Sequence, residues 1–136
     1  MSAGALHPIS VLVIPTASSL SLMRINASQY ALEVLAFPEE SISKWLDRCR
    51  HLLPEARGSH LVLVADTTAL SAAYEHFESL LWRDAGALLQ TLAFACEAYG
   101  LAFCPLGLMG TEIVDALPEN DVLVAVGAAA VGLDTA

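Results

Sequence analysis

The residues able to do chemistry fall at a few separated places in this sequence. His7, in Ser2-Ala3-Gly4-Ala5-Leu6-His7-Pro8, is of the residue type most used to exchange protons at physiological pH, which suits a proton donor or a substrate contact. It serves equally well as the residue that orders the loop before Pro8. Cys104, in Cys104-Pro105-Leu106-Gly107, is a candidate nucleophile, yet no histidine adjoins it in sequence to take its proton, and packing is the simpler role. Arg83 and Asp84 form a polar pair whose acid also suits the positive end of a helix. Tyr74 and His76 could meet a substrate and receive no assignment. Cys96, inside an apolar run, reads as core, and Trp45 and Trp82 read as helix anchors rather than stacking platforms. No carboxylate pair and no His/Asp/Glu grouping suggests a metal site. Gly107 to Gly110 before Thr111 could make a helix N-terminal anion site, a weak signal by itself.

The elements that must position these residues follow from periodicity. Ile9 to Pro15 is a short β-rich run closed by proline, a strand. "SLMRINASQYALEVLAF" has two apolar pieces around the turn-like group Asn26 to Gln29 and predicts a hairpin. Ile42, Trp45, Leu46, Cys49, Leu52 and Leu53 recur at helical spacing after Pro38 and its acids, and Lys44, Arg48 and Arg50 occupy later turns. Ser59 to Asp66 is apolar between polar ends, as in a strand covered on both faces. Asp66 and the following threonines predict a cap for a helix from Ala69 to about Leu81. A longer helix is predicted from Arg83 to Tyr99, ended by Gly100 in a left-handed conformation. A short helix near Thr111 and a strand in "DVLVAVGAAAVG" complete the chain.

From Ala85 to Gly107 the only charged side chain is Glu97. A membrane span needs about 20 unbroken apolar residues, whereas Gln90 and Glu97 lie inside this run and Gly100 stops it. Burial in a core and at an interface between subunits is the better account of a helix apolar on every side.

Two motifs carry a resemblance. "WRDAGALLQTLAFACEAYGLAFCPLG" resembles the C-terminal half of the nitroreductase superfamily, most closely its SagB-type dehydrogenase branch, and "SAGALHPISVLVIP" is similar to that branch's Ser-Ala-Gly loop and following strand. The resemblance covers most of the chain, in the family's order. It implies an α+β fold, a mixed sheet flanked by helices with a long buried central helix at a dimer interface, and FMN held between subunits. It also implies hydride transfer between flavin and a small-molecule or peptide substrate. By position, Ser2, Ala3 and Gly4 would border the isoalloxazine ring with His7 as the catalytic candidate, and Pro105, Leu106 and Gly107 would approach it from the partner side. Relative to that family the chain is expected to be one truncated domain, residues 1–136, lacking the N-terminal segment that grips the FMN phosphate. No basic residue follows the last strand either, the final charge being Asp134. The partner is then a second copy or a longer nitroreductase-like chain that supplies the grip. The alternative is a shortened, flavin-free member acting as a structural or regulatory subunit, or doing non-redox chemistry in the remnant cleft.

Composition agrees with one globular domain. The chain has 136 residues, 56% of them hydrophobic, enough for a substantial core. Fifteen acids against six bases leave a formal charge of -9, without the basic footprint of a nucleic-acid binder. Three unevenly spaced cysteines without a CxxC pair predict free thiols in a reducing compartment, and with no secretory signal in "MSAGALHPIS" the expected location is cytoplasmic.

Overall fold

A computed structural model describes residues 2–15, 20–118 and 120–133; Asp134 lies outside them. After a 3-10 turn at Ala3–Ala5 come strand β1 (Ile9–Pro15), the hairpin β2 (Leu22–Asn26) and β3 (Ala31–Leu35), and helix α1 (Glu39–Leu52). Strand β4 (Ser59–Asp66) leads to α2 (Thr68–Ala73) and the long α3 (Phe77–Ala98). The chain then runs through β5 (Leu101–Leu106), the single turn α4 (Thr111–Val114), a 3-10 turn at Asn120–Val122 and β6 (Leu123–Leu133).

The six strands form one sheet in the order β3-β2-β1-β4-β6-β5. The α+β class with helices flanking the sheet is as expected, and every pairing between these strands is antiparallel. Side chains alternate between the faces of a strand, and β4, buried along nearly all its length, feeds two cores. Val62 and Val64 join Leu12, Ile14, Leu22 and Ala128 beneath α1 and α4. Leu63 and Ala65 join Val126 beneath α2 and α3. The result is three layers, helix, sheet and helix.

Helix α1 follows its sequence pattern. Glu39 and Glu40 occupy its first turn and Arg50 and His51 its last, each complementing the helix dipole. Ile42, Trp45, Leu46 and Cys49 face the sheet, and burial raises the Cys49 thiol to about 11. An ion pair from Arg48 to Glu112 ties α1 to α4. In the hairpin, Asn26 Oδ1 accepts the Gln29 N–H at 3.2 Å, and Arg24 pairs at 2.8 Å with Glu33, directly opposite it in the register. Asp66 Oδ1 accepts the Thr68 N–H at 2.9 Å at the start of α2.

Three expectations change. The helix predicted to Leu81 stops at Ala73, and α3 starts at Phe77 rather than Arg83. Tyr74 adopts an extended backbone there, with its hydroxyl against Gly4, so a tertiary contact accompanies the break in the helical run. Residues 101 to 106, to which the sequence pattern assigns no element, form strand β5 and pair with β6, Pro105 included. Proline is tolerated because β5 is an edge strand, where one side of the backbone needs no ladder partner. Finally, α3 is not buried on all sides within one chain. Leu81, Ala85, Leu88, Leu89, Leu92 and Cys96 form a stripe against the sheet, while Trp82 (46% exposed) and Phe94 (69%) lie outside it. Trp45 is thus a buried anchor, and Trp82 is not. Gly100 ends α3 at φ 66°, as expected.

No helix is long and apolar enough to cross a membrane among the described residues. One buried polar residue is prominent: His60 on β4 is 4% exposed, and neither ring nitrogen has a hydrogen-bond partner. Burial, and after it the nearby Arg50 guanidinium, hold His60 below its ordinary value of 6.5. The folded chain therefore keeps this imidazole neutral where the unfolded chain protonates it, so stability is full above pH 6.5 and declines as the pH falls below that value. Denaturant titrations at intervals from about pH 7 to 5 should show this loss, and His60→Gln should flatten it within that window; an unchanged slope in the variant would assign the loss to other groups.

Candidate functional site

The N-terminal loop and α3 together form a cleft of about 330 Å³ lined by Ser2, His7, Pro8, Ile9, Asp84, Ala87, Leu88 and Thr91. The loop is held in an unusual conformation. Gly4, Ala5 and His7 all have positive φ, at 62°, 55° and 47°, and such conformations in non-glycine residues persist where surrounding contacts enforce them. Those contacts are visible. Ser2 Oγ accepts the His7 backbone N–H at 2.7 Å and lies 3.5 Å from His7 Nδ1. The Asp66 N–H donates to the Pro8 carbonyl at 2.9 Å, fastening the loop to the end of β4. A Cβ at Gly4 would stand 2.5 Å from the Tyr74 hydroxyl oxygen, so only glycine allows this approach.

Two of the expected site residues, Ser2 and His7, thus meet in one cleft. Gly4 supports it from behind, under Tyr74, and the backbone of Ala3 continues the same turn. His7 is exposed at the rim. Pro105, Leu106 and Gly107 do not line this cleft. Leu106 packs into the core beneath α1, on the sheet face opposite α3. β4 and β6 also separate β5 from β1, a displacement of about 14 Å at the usual strand spacing. Within one chain the two motifs are therefore apart.

Three further residues, Ala87, Leu88 and Thr91, carry no sign of a site in the sequence, and Asp84 reads there only as one of a polar pair with Arg83. Asp84, Ala87, Leu88 and Thr91 recur at i, i+3, i+4 and i+7, one face of α3 beside its core stripe. The signal was present but masked, because the helix starts two turns earlier than expected and Asp84 is not a first-turn acid. Arg83 turns away, its Nε donating to the Ser79 carbonyl at 3.1 Å. Cys104 is exposed on β5, with Sγ 3.7 Å from the Pro105 carbonyl oxygen, and among the described residues it has no hydrogen bond to a histidine. The anion site considered at Gly107 to Gly110 does not form: α4 is one turn, and the Ile113 and Val114 N–H groups both donate to the Gly110 carbonyl. No group of three or more His, Cys, Asp and Glu able to hold a metal occurs among the described residues.

The cleft's chemistry is asymmetric. Pro8, Ile9, Ala87 and Leu88 give it an apolar floor, and Ser2, His7 and Thr91 a polar edge, a composition that suits the face of a flat heteroaromatic ring. No arginine or lysine lines it, and the carboxylate of Asp84 does. A phosphate dianion needs guanidinium or ammonium partners or a cradle of N–H groups. These residues therefore fit the ring of FMN and do not fit its phosphate.

Comparison with known proteins places the fold. The chain superposes on a protein described as a nitroreductase from Anabaena variabilis with a TM-score of 0.80 at 16% identity, over 96% of this chain and 28% of that one. It matches a chain of the E. coli microcin synthetase McbBCD complex, solved with truncated pro-MccB17 bound, with a TM-score of 0.75 at 15% identity, over 100% of this chain and 55% of that one. A second protein described as a nitroreductase, from Ralstonia eutropha, gives 0.72 at 16% identity, over 100% and 62%. The fold is that of the nitroreductases, and the chain spans less than two thirds of each of these structures. No protein-family model and no curated protein sequence matches it.

Proposed function

We propose that this chain is a nitroreductase-like, SagB-type oxidoreductase subunit that supplies the ring-facing wall of an FMN crevice shared between two chains. The observation that carries the reading is the cleft at Ser2, His7 and α3, apolar on its floor and open beside a helix face that its own chain leaves uncovered. FMN, when bound, would supply the hydride chemistry. Ser2 would hold the loop, and His7 at the rim would hold or donate a proton to a small-molecule or peptide substrate. Pro105, Leu106 and Gly107 of one chain would serve the crevice of the other. The working form would be a homodimer or a pair with a longer nitroreductase-like chain, and in the pair the longer chain would supply the phosphate grip. The neighbour solved as a complex with a peptide precursor bound supports assembly with other chains as the working form.

The lining of the cleft also favours a second reading. A site with Asp84 and no cation is what a flavin-free structural or regulatory subunit would retain. Absorbance separates the two. Mixed with a longer nitroreductase-like chain, the protein is expected to take up added FMN and show the flavin bands, and alone to take it up weakly. A protein that stays colourless in both preparations leaves only the flavin-free reading.

A further inference from the structure

A second cavity, of about 290 Å³, lies on the α1 face of the sheet and is lined by Arg50, Leu53, Pro54, Ala56, Arg57 and His60. It is remote from the cleft. His60 pairs with Ile14 at the far end of β1, whereas Ile9 borders the cleft opposite Ala65. The two positions lie five steps apart along β4, about 17 Å of extended chain, and their side chains project to opposite faces. The inference that follows is thus independent of the flavin reading.

Three features converge there. His60 is 4% exposed, lines the cavity and carries two ring nitrogens without partners, although buried polar groups are almost always hydrogen-bonded. Two of the chain's six cations, Arg50 and Arg57, line the same small space in a protein of net charge -9. Each keeps donors to spare: Arg50 Nη1 donates to Asp47 at 2.8 Å and Arg57 Nη1 to the Pro54 carbonyl at 3.5 Å, leaving the other guanidinium N–H groups of each. The loop carrying Arg57 is also held in place. A Cβ at Gly132 would collide with the Arg57 carbonyl and one at Gly58 with the Val131 carbonyl, so backbone meets backbone where this loop joins β6. The C-terminal carbonyls of α1 and the carboxylate of Asp47 oppose an anion here; two guanidiniums outweigh them at the short range of direct contact.

We propose that this cavity binds a small oxyanion of the phosphate class, gripped by the guanidinium groups of Arg50 and Arg57 beside the buried ring of His60. The donor set is planar and forked, matching the oxygens of a phosphoryl group, and the volume admits an anion with a small substituent.

The test uses the full chain labelled with 15N. Its His60 ring nitrogens are followed by NMR during titration with inorganic phosphate, and in parallel with sodium chloride at matched ionic strength. Phosphate is expected to shift the His60 ring signals saturably and to raise the melting temperature, while chloride does neither. Arg57→Gln and Arg50→Gln, both at exposed side chains, should each weaken phosphate binding at least tenfold and leave the circular dichroism spectrum unchanged. A small phosphate monoester identifies the source: tighter binding than inorganic phosphate assigns the cavity to a phosphorylated ligand, and equal or weaker binding to the free ion. Ring signals that stay still as phosphate is added, a response matched by chloride, or full binding by both arginine variants would overturn the proposal.

Discussion

Phe94→Glu is expected to convert the proposed dimer of this chain into a monomer while leaving its fold intact. Phe94 is 69% exposed on α3, one turn beyond Thr91 at the edge of the cleft, and outside the stripe packed on the sheet. An aromatic ring in that position costs nothing to replace if water is its normal neighbour. At the centre of a subunit contact it is an anchor, and a carboxylate in its place would be buried without a partner. Such anchors contribute about 2 kcal/mol or more, roughly thirtyfold in the dissociation constant. Analytical ultercentrifugation at micromolar concentration, with circular dichroism as the control for folding, reads the effect. Trp82→Glu, on the other flank of the same helix, should act less strongly because it lies farther from the cleft. A wild-type chain that sediments as a monomer, both alone and mixed with a longer nitroreductase-like chain, would remove the shared crevice.

Trp45→Ala should be the most destabilising single substitution in the α1 layer, by about 3 to 5 kcal/mol. The indole is fully buried among Ile42, Leu46 and Cys49 of its own helix and the residues that β1, β4 and α4 contribute to the same core. Alanine would leave a cavity lined by strands that are pinned on both sides and cannot close in. Part of the loss is offset because the Trp45 Nε1–H is itself buried without a partner, so its removal also relieves a desolvation cost. Urea titration gives the difference in unfolding free energy. A loss below about 1 kcal/mol would mean that α1 is only loosely docked.

Much of the architecture was legible before any coordinates. The spacing of Ile42, Trp45, Leu46 and Cys49 specified the buried face of α1, and the near-continuous apolar run in β4 specified a strand with cores on both sides. Ser2 and His7 stand in one loop of the sequence as candidates, and both line one cleft. The start of α3 was not legible, because nothing local in Tyr74-Glu75-His76 demands a break; Tyr74 instead meets Gly4, seventy residues earlier. Strand β5 was hidden by Pro105, whose tolerance depends on the strand lying at the sheet edge.

Local chemistry in the chain determined the helix faces, the strand that divides the two cores, the hairpin and the residue types at the N-terminal loop, since each depends on neighbours within a few positions. Tertiary structure alone decided that one face of α3 stays uncovered, that Leu106 points away from the cleft, and that Arg50, Arg57 and His60 share a cavity. Those outcomes turn on which strands become neighbours and which side of the sheet each side chain takes, and both are settled by packing between segments far apart in sequence.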